Sequence, residues 1–218
     1  MASRTFADRA EAGTLLGRRL AGLGLDSPVV LGLPRGGVVV AAHAAAELGV
    51  PAEVFVARKI GLPRQPEYGI GAIAEGGEPV FDQRALRQLG LHPDDLASVV
   101  AAERAELNRR VRLYRGNRAL PELHGRTVVL VDDGIATGVT ARAALDALRS
   151  SNPGRLVLAA PVGAPESLRE LAGIADDVAV LDQPSPFVAV GRWYDVFGQV
   201  SDEEVLRLLA TPPGRRSR

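Results

Sequence analysis

The chain has 218 residues, 46% hydrophobic and 24% charged, enough apolar material for one large core, so disorder throughout is excluded. It contains no cysteine, which excludes a disulfide framework and a thiolate metal site, and 26 basic residues balance 26 acidic ones, giving no support to a nucleic-acid or membrane-surface binder. The nearly apolar stretch Gly36 to Ala46 is too short to span a bilayer, and the N-terminal residues lack a signal-peptide core, so we expect a cytoplasmic protein.

In chain order, a first helix is expected over about Phe6 to Leu23, with Leu16, Leu20 and Leu23 on one face and Gly24 as its stop. Strands are expected at Val29 to Leu33, Glu53 to Ala57, Gly69 to Ala74, Val128 to Val131, Leu156 to Pro161 and Val178 to Leu181. Most are continuous Val, Leu and Ala runs without polar alternation, the pattern of parallel strands covered on both faces. The covering helices would be Val38 to Leu48, Ala141 to Ser150 and Glu166 to Ile174, with a longer one from Pro93 to about Tyr114. A last helix opens at Ser201, with Glu204 in capping-box spacing, and ends near Ala210. The tail 211–218 is expected to be disordered. No internal repeat or long linker divides the chain, which reads as a single α/β domain over 1–218.

The densest chemical signal is VVLVDDGIATGVT, Val128 to Thr140: a buried strand, two acids at its carboxyl end, and a glycine-bearing loop that opens a helix. Ligands bind at that end of an open α/β sheet. The N–H groups of Ala136, Thr137, Gly138, Val139 and Thr140 can converge on a phosphate at the helix N-terminus. Asp132 and Asp133 would repel that phosphate unless hydroxyls or a divalent cation stand between, as in a magnesium-bound sugar phosphate. Paired acids after a parallel strand also occur in magnesium-dependent phosphatases and receiver domains, and a Gly-Thr loop also serves as a plain helix cap.

The full spelling resembles the phosphoribosyl-diphosphate (PRPP) loop of the type I phosphoribosyltransferases. The resemblance implies an α/β fold of that family, with a central, mostly parallel sheet flanked by helices and a small hood, here from about 1–27 and 184–210. It also implies further parts in a fixed order. LGLPRGG, Leu31 to Gly37, matches the family's pyrophosphate loop, with Arg35 as cation and Gly36 and Gly37 allowing close backbone approach. The family commonly has a cis peptide there, expected between Pro34 and Arg35. Arg58 and Lys59, followed by GLPRQPEYG, match a pyrophosphate-facing basic residue and a mobile lid, and Lys59 is the only lysine. FVAVGRWYDVFG, Phe187 to Gly198, looks like the base-binding hood of the purine members, and holds four of the chain's nine aromatic residues.

The implied activity is transfer of 5-phosphoribosyl from PRPP to a ring nitrogen of a purine-like base, with release of pyrophosphate. Asp132 and Asp133 would hold the ribose hydroxyls and Mg2+, the latter through water and substrate; Ala136 to Thr140 would anchor the 5-phosphate; Arg35, Gly36, Gly37, Arg58 and Lys59 would take the pyrophosphate. Arg35, Lys59, Asp132 and Asp133 form the catalytic set. Trp193, Tyr194 and Asp195 are the base-binding candidates. Ala136 stands where many members have a base-handling aspartate, so either the nucleophile needs no general base or another group such as Glu67 or Asp195 supplies it. The partners implied are PRPP and a nucleobase-like molecule, with a homodimer possible and no nucleic acid. Two other readings stay open: a non-catalytic PRPP-binding regulator, and a hydrolase with Asp132 as nucleophile. The 28 residues before the first strand are too few for a helix-turn-helix domain. His43, His92 and His124 are too scattered for a zinc site. Arg109, Arg112, Arg115 and Arg118, at every third position with Glu106 among them, read as a solvated face or subunit contact.

Overall fold

A computed structural model describes residues 5–62 and 65–210, the side chains of 65–68 excepted. Among the described residues, eight strands and seven helices follow in order: α1 (Arg9–Ala21), β1 (Val29–Gly32), α2 (Gly36–Leu48), β2 (Ala52–Val54), β3 (Ala57–Leu62), β4 (Gln65–Ala74), β5 (Val80–Phe81), α3 (Gln83–Leu89), α4 (Ala97–Arg115), β6 (Thr127–Val131), α5 (Val139–Arg149), β7 (Arg155–Val162), α6 (Pro165–Leu171), β8 (Asp177–Asp182) and α7 (Asp202–Ala210). Short 3-10 turns precede α4 at Pro93–Leu96 and lie in the hood at Val190–Trp193.

The main sheet has the order β2-β1-β6-β7-β8, and every adjacent pair is parallel. Its central strands send alternate residues to opposite faces, as the two-residue period of a strand requires. Val30, Val129, Val131, Val157 and Ala159 meet Leu16 and Leu20 of α1 and Val40 and Ala44 of α2. Leu31, Val128, Leu130, Leu156 and Leu158 meet Ala144, Leu145 and Leu148 of α5 and Leu168 of α6. Both faces are therefore dry, which explains the unbroken apolar spelling of these strands.

Between residues 57 and 90 the expected strand Gly69 to Ala74 is present as the end of β4, and the rest of the stretch departs from the sequence reading. The expected second strand ends at Val54, and a separate antiparallel sheet β3-β4-β5 follows, with Lys59 opposite Ala72. Strand β3 is not apolar, because one of its faces lies over the site, so apolar periodicity passes over it. The short β5 and α3 are further additions to that reading; α3 is held by Asp82, whose side chain accepts the N–H groups of Arg84 and Ala85. The expected lid tip at Pro63 and Arg64, the side chain of Glu67 and the tail 211–218 lie outside the described residues. The arginine stripe after α4's midpoint is not one solvated face. Arg115 is 8% exposed and forks onto Glu75 at 2.8 and 2.6 Å, because the helix turns this position onto the small sheet. Among the described residues, no helix is long and apolar enough to cross a membrane.

The hood is built from both ends of the described chain. Phe6 N–H donates to Trp193 O at 2.9 Å, and the N–H groups of Asp195 and Val196 donate back to Phe6 and Ala7 carbonyls at 2.8 and 2.9 Å. Helix α1 packs mainly on α2 and the sheet, while its first turns, through Arg9, Ala12 and Leu15, also meet the hood.

Candidate active site

Two loops cross at the carboxyl ends of β1 and β6. The first, Leu33 to Gly37, runs into α2, which starts at Gly36, two residues before its expected start at Val38. The second, Asp132 to Gly138, runs into α5. Neither helix has a side-chain cap, so their first-turn N–H groups remain available to an anion, and each N-terminus carries positive partial charge. Gly138 takes φ +72°, a left-handed conformation that favours glycine, and this turn aims the start of α5 at the loop.

The loops touch where the glycines are. A Cβ on Gly36 would press on Asp133 Oδ2 and sit 2.7 Å from Asp133 Cγ, while one on Gly37 would come within 2.9 Å of Asp132 Cα and 3.1 Å of its Oδ1. PRGG and DD therefore interlock, each glycine facing one acid. The Pro34–Arg35 peptide is cis, as the resemblance implies.

Asp132 and Asp133 face the site from a low-dielectric floor. Burial, then the neighbouring Asp133 charge, pushes Asp132 well above the usual carboxylate range; the bond from Asp133 N–H (2.8 Å), Lys59 and Arg9 oppose this. Burial also raises Asp133, against the pull of Arg9, whose Nε donates to Asp133 Oδ2 at 2.7 Å. Tyr194 OH donates to the Asp133 carbonyl at 2.5 Å.

A cavity of about 570 Å³ gathers the predicted parts: Arg35 and Gly36, Arg58 and Lys59, Asp132 and Asp133, and all of Ala136 to Thr140. Gly37 is not among its lining residues. Thr140 Oγ1 is buried without a hydrogen-bond partner among the described residues, an unused hydroxyl of the kind a phosphate oxygen satisfies. The cations are not equivalent. On strand β3 neighbours face opposite ways, so Arg58 turns to α4, where its guanidinium bonds Glu103 at 2.8 Å. Lys59 makes no ion pair among the described residues, and its charge is felt by Asp132. Arg35 stands 3.9 Å from Asp202 at the start of α7.

The base-binding candidates are placed otherwise than expected. Tyr194 is 5% exposed, because its backbone bridges Phe6 and turns the ring into the hood core, 5.6 Å from the Phe6 ring. Trp193 packs on Phe187 with ring centroids 6.2 Å apart, and Asp195 is exposed. None of the three lines the cavity; Val190 and Phe197 do, with Glu103 and Arg110 from α4. Sequence reasoning missed Arg9 altogether, since a partner 124 residues away leaves no local pattern. Phe197 was visible only as part of the aromatic cluster. A second cavity of about 640 Å³ lies behind the loop Thr137 to Val139, between α3, α5 and α6, lined by Arg84, Arg87, Arg142 and Glu166, away from the acid pair.

Among the described residues, these features define an α/β domain with two uncapped helix N-termini and an acid pair at the carboxyl edge of a parallel sheet. The chain belongs to the phosphoribosyl transferase domain family, whose sequence profile matches residues 9–183. It is 44% identical over 206 residues to two curated Mycobacterium tuberculosis proteins, from strains CDC 1551 and H37Rv, each named "Putative phosphoribosyl transferase". The match takes in 94% of this chain but 46% of each of theirs, so the chain spans about half the length of these relatives. Among solved structures, TT1426 from Thermus thermophilus is 45% identical, with a TM-score of 0.80 over 96% of this chain and 100% of that one.

Proposed function

We propose that the protein transfers a 5-phosphoribosyl group from PRPP to a nitrogen of a flat, purine-like base and releases pyrophosphate. The observation that carries this is one cavity shared by an uncapped phosphate loop with an unsatisfied Thr140 hydroxyl, an acid pair and the Arg35 and Lys59 cations. A monophosphate binder needs only the loop, whereas PRPP presents a 5-phosphate, two ring hydroxyls and a diphosphate in that spatial order.

The loop N–H groups and Thr140 take the 5-phosphate. Asp132 and Asp133 accept from the ribose hydroxyls and fix the ring, so that its reacting carbon faces the incoming nitrogen. Charge builds on the departing diphosphate as the bond to carbon lengthens, and Lys59, Arg35 and the start of α2 lie where they can stabilise it. The donor set fits Mg2+ held through water and substrate: two carboxylates are present, and the described residues contain no group of three or more that could hold a metal by themselves. Bound there, Mg2+ would supply charge neutralisation for the diphosphate. Val190 and Phe197 form the apolar wall for the base.

The test is pyrophosphate release from PRPP and Mg2+ across a panel of nucleobases. Release with at least one base is the expected result. PRPP binding without release by any base would favour the regulatory reading, and no PRPP binding would refute the proposal.

A further inference from the structure

One buried contact at the acid pair is left unused by the proposed chemistry. Arg9 is the first residue of α1, set there by Asp8, whose side chain caps the helix by accepting the N–H groups of Ala10 and Glu11 at 2.8 and 2.9 Å. Its side chain is 11% exposed, and Nε, Nη1 and the face of the guanidinium are each engaged. Nε donates to Asp133 Oδ2 at 2.7 Å, Nη1 donates to Gly198 O at 2.9 Å, and Cζ lies 3.8 Å from the centre of the Phe197 ring. Phe197 in turn packs 5.1 Å from the Tyr194 ring, and the Tyr194 hydroxyl returns to the Asp133 carbonyl. The circuit closes on Asp133 from both its side chain and its backbone.

We infer that Arg9 is a positioning residue: it holds the Asp133 carboxylate in the orientation that receives the ribose and ties it to Phe197, the cavity's hood wall, so that sugar and base subsites keep a fixed separation. This rests on the PRPP-transfer reading above. The geometry uses what distinguishes arginine from lysine. A planar fork bonds two oxygens on different segments while its face lies on an aromatic ring, which an ammonium cannot do at once. The base wall is therefore registered to the sugar site by a residue far upstream of both, and the hood and the acid pair answer to one side chain.

The test is calorimetric titration with Mg2+·PRPP of the full chain, of Arg9→Gln, Arg9→Lys and Asp133→Asn, and of the Arg9→Gln/Asp133→Asn double variant, with melting temperatures recorded beside each. We expect Arg9→Gln to weaken binding tenfold or more and Arg9→Lys to recover part of it. If Arg9 acts through Asp133, Arg9→Gln in the Asp133→Asn background should cost less than twofold. The same loss in both backgrounds would show a merely structural role and overturn the inference. Should Arg9→Gln fail to fold, Arg9→Lys decides alone: an affinity equal to that of the unmodified chain overturns it, and a loss supports it. An unmodified chain that takes up no PRPP refutes the transfer reading itself, and this inference with it. Equal PRPP affinities for the unmodified chain and the Arg9→Gln variant refute only the role of Arg9.

Discussion

Replacing Gly36 by alanine adds one methyl group at the point where the two loops interlock. Its Cβ would stand 2.7 Å from Asp133 Cγ and 2.8 Å from Arg9 Nε, against about 3.5 to 4 Å for relaxed carbon contacts, so the carboxylate has to retreat by roughly 1 Å. The 2.7 Å bond between Arg9 and Asp133 does not survive that shift. Overpacking alone costs about 1–3 kcal/mol. Breaking a buried pair costs about 3–5 kcal/mol, and these side chains are 11% and 17% exposed, so a reduced share, ~1–2 kcal/mol, is appropriate. A total of about 3 kcal/mol lowers the melting temperature of a domain of this size by roughly 6–12 °C. Thermal denaturation followed by circular dichroism measures this, and titration with Mg2+·PRPP should show at least a tenfold loss of affinity. As a control, Gly49→Ala at φ +71°, with nothing near its Cβ, should lose only about 1 kcal/mol and keep PRPP affinity. A Gly36→Ala protein as stable as the parent and binding PRPP equally would refute the interlock.

Lys59→Ala should lower turnover about a hundredfold, ~3 kcal/mol of transition-state stabilisation, with a smaller change in PRPP affinity; an unchanged kcat with a raised KM would remove Lys59 from the leaving-group role. Arg115→Ala should cost about 3–5 kcal/mol by leaving Glu75 buried and unpaired, while Arg115→Met with Glu75→Gln should recover much of it; urea unfolding tests this, and a loss under 1 kcal/mol would contradict the buried pair. Burial, then its hydrogen bond to Asp202 at 2.5 Å, raises the Tyr114 phenol from 10.0 to about 12. A folded pKa above the unfolded one gives stability that is complete below pH 10 and lost as the pH rises through 12. Tyr114→Phe should therefore be about 1–2 kcal/mol less stable near neutrality yet lack this alkaline loss, and parallel pH profiles for the two proteins would show the contact to be inert.

The sheet and the loop that follows β6 were legible in the chain because their causes are local. Val128 to Val131 is apolar throughout since helices cover both faces, and the acids and small residues that follow must be contiguous to sit on one loop. The glycines of PRGG were legible as points of close approach, but what they approach was not: only the parallel pairing of β1 with β6 sets Gly36 against Asp133 and Gly37 against Asp132. Between residues 57 and 90 the strand at Gly69 to Ala74 was legible, but the local signal missed β3, whose Arg58 and Lys59 line the cavity. Arg58 and Lys59 are neighbours in sequence, yet the strand's alternation sends one to Glu103 and the other toward the acids. In the hood, aromatic clustering marked the region but not which ring faces the cavity. That was decided by the bridge between Phe6 and Tyr194, which turns Tyr194 inward and leaves Phe197 on the cavity wall over Arg9. Residue types and short-range order thus determined which chemistry is carried, and contacts between segments far apart in the chain decided which side chains are left free to perform it.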